Sequence, residues 1–174
     1  MNTITEQTPK RNGGSSRLNS EAHADEPADK VYRRILLGID LSKASEAVFE
    51  HALKLAKQNR AKLIIIHAYN VPGSISFLPP ACYEEWYTLY HAKAEKLMRS
   101  FAEQAEQQGV HCHCLIFAGI PEDAMAEAVK RLKIDLVVIG THKRRGISRV
   151  VLGSLAARIS LGVGCPILTL RTVT

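Results

Sequence analysis

Residues 33–56 read RRILLGIDLSKASEAVFEHALKLA. The opening part is a short run of Ile and Leu with no polar alternation, closed by Gly38, Ile39 and Asp40. Such a run suits a strand covered on both faces. After Asp40 the period changes. Ser42 or Ser45 is placed to cap a helix, and Val48, Ala52 and Leu55 then fall on one helical face out to about Asn59. A doubly covered strand followed by an amphipathic helix is the first half of a parallel crossover.

The same alternation continues in both composition and order. Apolar runs at 62–68, 110–117, 135–140 and 166–170 read as four more strands, with the first at 32–39. Between them, Tyr83, Trp86, Tyr90, Leu97 and Phe101 recur at helical spacing up to Gly109. A third helix opens with Pro121, Glu122 and Asp123 and closes with Lys130, Arg131 and Lys133, acid first and base last as the helix dipole favours. A fourth starts near Ser154 and stops at Gly162 and Gly164, with Pro166 preventing continuation. Strict strand–helix alternation predicts an α/β fold: a single open, mostly parallel five-stranded sheet with helices on both faces, Rossmann-like in plan. The one long connection, 69–81, holds Pro72, Gly73, Pro79 and Pro80.

At 174 residues the chain accommodates one domain and a tail. Residues 1–30 contain Met1, Ile4 and Leu18 as their only large apolar side chains. That is too little burial to offset ordering entropy, so they are expected to form a disordered tail, with the domain at 31–174. No apolar run is long enough to span a membrane, and the N-terminus lacks the apolar centre of a secretory signal. A cytoplasmic location is therefore expected, with Cys82, Cys112, Cys114 and Cys165 as thiols. The domain holds 19 Lys and Arg against 12 Asp and Glu, so the positive charge belongs to the folded part. Charge of that size alone supports only salt-sensitive, sequence-indifferent nucleic-acid attachment, the weakest reading.

In open parallel sheets, ligands bind beyond the carboxyl ends of the strands. That directs attention to Asp40, to 67–70, to 118–120 and to the stretch after the fourth strand. The last reads GTHKRRGISRVVLGS, residues 140–154. A strand ends at Gly140, a basic loop follows, and Gly153 and Ser154 open a helix. Unpaired N–H groups and a partial positive charge at that helix end suit phosphate, and the Ser154 hydroxyl adds a donor. Neither GxxxxGK[ST] nor GxGxxG occurs.

Here the chain resembles the universal stress protein family, of UspA-like type. Nucleotide-binding members carry G-x2-G-x9-G-[ST], and Gly140, nine residues from Arg144 to Leu152, and Gly153-Ser154 match that spacing. RRILLGIDLSKASEAVFEHALKLA is similar to the family's first strand, acidic residue and first helix. LIIIHAY resembles its second strand and CPILTLR its closing strand. The resemblance covers 31–171. It implies an adenine nucleotide such as ATP, with Mg2+ accompanying it. It also implies that Asp40 meets the ribose or adenine side, that Ile39, Leu41 and Ala68 line the base, and that Ile139 lies beneath the sugar. Gly140, Lys143, Gly153, Ser154 and Leu155 would hold the phosphates. One position departs: the pattern's second glycine is Lys143. A Cβ there disfavours positive φ, yet a lysine is itself a phosphate ligand. The resemblance further implies a stress-response role through nucleotide-dependent conformation or partner choice, and a homodimer through the last strand, 166–171.

Plainer readings stand beside these. Asp40 could cap the turn that follows it. Lys143, Arg144 and Arg145 could be a solvated loop, and Arg149 and Arg158 read as surface residues. In His111-Cys112-His113-Cys114, strand alternation separates the two His from the two Cys, so neither face closes a tetrahedral metal site. His67 and His142 lie near the expected pocket, with no nucleophile–base–orienter set beside them. The aromatic face of Tyr83, Trp86, Tyr90 and Phe101 reads as packing, not a stacking platform. Two rival functions remain open: a nucleotide-free dimeric interaction module acting on an unknown protein partner, and a slow ATPase or autophosphorylating enzyme.

Overall fold

The computed structural model describes residues 5–7, 31–70, 79–142 and 154–172. Its elements in chain order are β1 (Thr5–Gln7), β2 (Arg34–Ile39), α1 (Ala44–Asn59), β3 (Lys62–Tyr69), α2 (Pro80–Gln107), β4 (Cys112–Ala118), α3 (Pro121–Leu132), β5 (Leu136–His142), α4 (Ser154–Gly162) and β6 (Ile167–Thr172). One sheet has the order β1-β4-β3-β2-β5-β6. The pairs among β2 to β6 are all parallel, and β1 runs antiparallel to β4. The expected five-stranded parallel sheet is thus present, with a short sixth strand on its edge.

Side-chain alternation divides the core into two layers. Ile35, Leu37 and Ile39 of β2, Leu63 and Ile65 of β3 and Val138 of β5 pack under Val48, Phe49 and Ala52 of α1 and Ala94, Met98 and Phe101 of α2. Leu36, Ile64, Ile66, Val137 and Ile139 point the other way, against Ala124, Met125 and Val129 of α3 and Ala156 and Ile159 of α4. Both faces of the central strands are therefore dry, which is why their sequences read as continuous apolar runs. Phe49 stacks on Phe101 with ring centroids 4.2 Å apart, tying α1 to α2.

Several local expectations are corrected. Thr5–Gln7 lie within the stretch expected to be a disordered tail, yet they pair with Cys114 to Ile116. Pairing at an open sheet edge uses backbone groups and needs no apolar side chains. The rest of 1–30 lies outside the described residues. No serine side chain caps α1: its N-cap is Lys43, and Ser45 bonds backwards to Asp40. The connection expected over 69–81 is shorter, because Pro80 already opens α2. Proline is well suited to a first helical position, where its missing N–H costs nothing.

Gly140 sits where α1 crosses β5. A Cβ there would lie 2.9 Å from Val48 Cγ2. Valine is stiff at χ1 and cannot swing away cheaply. Gly140→Ala is expected to lower the unfolding free energy by about 1–3 kcal/mol through overpacking. In a Val48→Ala background most of that penalty should vanish. Urea denaturation of the four proteins checks this, and an unchanged penalty would show that the contact is not responsible.

Candidate functional site at the β2–β5 switch point

From β2 the chain steps through β3 to β4 on one side, then returns by way of α3 to β5 on the other side of β2 and continues to β6. Neighbouring β2 and β5 therefore send their crossovers in opposite directions. The crevice beyond their carboxyl ends is the usual ligand position in such sheets. β2 ends at Ile39, while β5 pairs with it only as far as Gly38 with Ile139 and then continues alongside β6.

At the end of β2 the backbone turns sharply. Leu41 has φ +61°, in the left-handed region, which costs a non-glycine residue about 1–2 kcal/mol. The turn is held by Asp40. Its Oδ1 accepts from the Ser42 N–H at 3.0 Å and from the Ser45 hydroxyl at 2.9 Å, and the Asp40 N–H donates to Ser45 Oγ at 3.3 Å. The capping reading of Asp40 is thus correct as to geometry. The carboxylate itself is exposed, at the mouth of the crevice. Ser42 Oγ is buried and has no hydrogen-bond partner among the described residues.

His67 lies one strand over and is 2% exposed. Its Nδ1 is 2.9 Å from the Ile39 carbonyl, which can only accept, so Nδ1 carries the proton. Nε2 then accepts from the Tyr90 hydroxyl at 3.0 Å. Burial pushes its pKa below the ordinary 6.5, against the raising effects of the Ile39 carbonyl and Asp40. Burial also raises the Tyr90 phenol, with Asp40 adding to it. With both nitrogens engaged inside the core, His67 is a neutral strut between α2 and the end of β2, not an exposed base. The rings of Tyr69 and Tyr90 lie beside it, 4.8 Å from each other, and Trp86, Tyr87 and His91 gather in turn around Tyr69. The aromatic face of α2 is packing at this end, as its sequence reads.

The other expected site residues distribute as follows. Ile39 is buried and faces α1 and α2, while Leu41 packs at the rim of the same layer. Ala68, Ile139 and Leu155 belong to the opposite layer, Ile139 being fully enclosed. Gly140 lies against Val48, and Thr141 donates from Oγ1 to the Leu170 carbonyl at 3.4 Å. Ser154 is the first residue of α4. Lys143, Gly153 and Arg149 lie outside the described residues, as do the side chains of His142 and Ser154. Arg158 is exposed and pairs with Glu122 of α3, Nε to Oε1 at 2.6 Å, so it holds α4 to α3. The sequence marks His67, Tyr90 and Ser42 but not their pairings, His67 with Tyr90 and the Ile39 carbonyl, and Asp40 with Ser42 and Ser45. The spacing Asp40-x-Ser42-x-x-Ser45 was the available signal for the turn.

The family model described as "Universal stress protein family" matches residues 31–171. The chain belongs to the universal stress protein family. A curated universal stress protein of Methanocaldococcus jannaschii is 27% identical over 143 residues, covering 82% of this chain and 84% of that protein. The universal stress protein UspA of Lactobacillus plantarum matches in structure with TM-score 0.66 and 24% identity, over 80% of this chain and 98% of that one. A universal stress protein solved in complex with cAMP matches with TM-score 0.56 and 26% identity, over 81% of this chain and 98% of that one. No helix among the described residues is long and apolar enough to cross a membrane.

His67 gives this universal stress protein a pH signature. Its folded pKa is lower than its unfolded one, so below about pH 6.5 the unfolded chain binds more protons. The stabilisation is present above that pH and is lost as pH falls toward the folded value, at up to about 1.4 kcal/mol per unit. Urea midpoints should therefore fall more steeply in the wild type than in His67→Gln between about pH 6.5 and about pH 5. Parallel profiles would count against a buried neutral His67.

Proposed function

We propose that this universal stress protein binds an adenine nucleotide in the crevice between β2 and β5 and acts in the stress response through nucleotide-dependent conformation or partner choice. The observation that carries the reading is the switch point itself, with Asp40 at the end of β2 on one side and the start of α4 at Ser154 on the other. A related protein solved with cAMP supports it. The exposed Asp40 carboxylate suits ribose hydroxyls, and the first turn of α4 suits phosphate. Ser42 Oγ, buried in the β2–α1 turn without a hydrogen-bond partner among the described residues, would add a polar contact. Gly140, Lys143, Gly153, Ser154 and Leu155 would hold the phosphates, with Ile39, Leu41, Ala68 and Ile139 shaping the base and sugar positions. Among the described residues no three His, Cys, Asp or Glu side chains group to hold a metal ion. Mg2+ would then arrive with the nucleotide, on its phosphate oxygens.

Lys143 favours a second reading, a nucleotide-free interaction module of the same fold. The occupied Oδ1 of Asp40 favours it too, because that oxygen already serves the β2–α1 turn. A hydrolytic role has less support, since His67 is closed on both ring nitrogens.

Titration calorimetry of ATP with Mg2+ into nucleotide-free protein is expected to give one saturable site per chain. Ser154→Ala should weaken it by about 1 kcal/mol, and Lys143→Gly should retain or improve it if backbone donors dominate. Absence of heat from folded, empty protein would overturn the nucleotide reading in favour of the module.

A homodimer through β6 is also proposed. β6 ends the sheet, and its Ile167, Leu168 and Leu170 are only half-buried. An open edge of this kind invites a second strand. Light scattering at micromolar concentration should give twice the chain mass, and a monomer would refute it.

A further inference from the structure

Cys112 and Cys114 lie two residues apart on β4 and face the same layer beneath α2. Cys112 is 5% exposed, and Cys114 is half-buried. The Cys114 thiol donates to the Met98 carbonyl at 3.4 Å. His113 points to the opposite face by strand alternation.

A disulfide does not fit this pair. Two residues of strand advance about 6.6 Å, and a disulfide needs Cβ carbons about 3.5–4.5 Å apart. The ladder with β3, Cys112 beside Leu63 and Cys114 beside Ile65, holds the strand extended. Two metal–thiolate bonds of about 2.3 Å in line would instead separate the sulfurs by about 4.6 Å, which side chains leaning together can span. Two sulfurs do not complete a tetrahedral site. They do complete the linear coordination open to a soft monovalent d10 cation, and thiolate is the donor such ions select. The apolar surroundings supply no oxygen cage for hard cations.

We propose that Cys112 and Cys114 form a two-coordinate site for a soft monovalent cation of the Cu(I) class. Binding replaces two S–H protons by two Cu–S bonds, releases both protons and changes no oxidation state. Cys114, being half-buried, is the entry side, and it leaves the single net negative charge of the bis-thiolate complex within reach of water. The site is remote in role from the nucleotide crevice and does not rest on that reading.

The test is anaerobic competition for Cu(I) between the reduced full-length protein and a chromophoric Cu(I) chelator, bathocuproine disulfonate. One equivalent per chain should leave the chelator, with near-ultraviolet sulfur-to-copper absorption and a raised thermal midpoint. The Cys82→Ser/Cys165→Ser double variant and His113→Gln should behave like the wild type. Cys114→Ser should weaken binding at least 100-fold while keeping the wild-type circular dichroism. Cys112→Ala provides the matching result at the buried position. Equal Cu(I) retention by Cys114→Ser, or loss of the equivalent in the Cys82/Cys165 variant, would overturn the site.

Discussion

Burial of both faces of β2, β3 and β5 is the constraint from which the rest of the molecule follows. Ile35, Leu37 and Ile39 look toward α1 and α2, while Leu36 between them looks toward α3 and α4. A strand in that position has no solvated face, so helices must cross over on both sides. Right-handed crossovers and a central first strand then require one reversal of direction. That reversal lies between β2 and β5, and it creates the crevice. The site is a consequence of how the sheet is covered, not an addition to it.

Polar groups secure the two ends of β2. At its start the Asp135 carboxylate accepts the backbone N–H groups of Arg33 at 2.7 Å and Arg34 at 3.1 Å, fastening β2 to the beginning of β5. At its end Asp40 closes the turn into α1, with Leu41 held in a left-handed conformation. His67 adds a third fastening, from Tyr90 of α2 to the Ile39 carbonyl. Each of these hydrogen bonds adds little net stability, but leaving the buried one between His67 and the Ile39 carbonyl unmade would cost more. They therefore fix geometry: the end of β2 cannot shift without breaking a bond to Ser45 of α1 or to His67 of β3.

Much of this was legible in the residues. The apolar runs gave five strands, and the acid-first, base-last pattern located α3 within a residue of its bounds. Asp40 follows a strand as expected, whereas the strand expected to end at Gly140 runs on to His142 beside β6, so Gly140 lies within β5 just past its last pairing with β2. Less was legible where the signal is not periodic. Thr5–Gln7 carry no apolar pattern, since an edge strand pairs through backbone alone. The start of α2 at Pro80 was obscured by the proline-rich connection before it. The role of His67 was invisible because its partners are Tyr90, 23 residues away, and Ile39, 28 residues away.

The sequence by itself determined the class of fold, the strand and helix order, the family and the crevice end of the sheet. Each depends on hydrophobic period or on residues adjacent in the chain, and these are local properties. Only the tertiary structure decided that Asp40 holds a turn through Ser42 and Ser45, and that Gly140 is small because Val48 needs the space. It also decided that His67 is a sealed strut and that the two β4 cysteines share the layer beneath α2. Those facts arise from side chains brought together across elements, and the pleat and packing of the sheet set their distances.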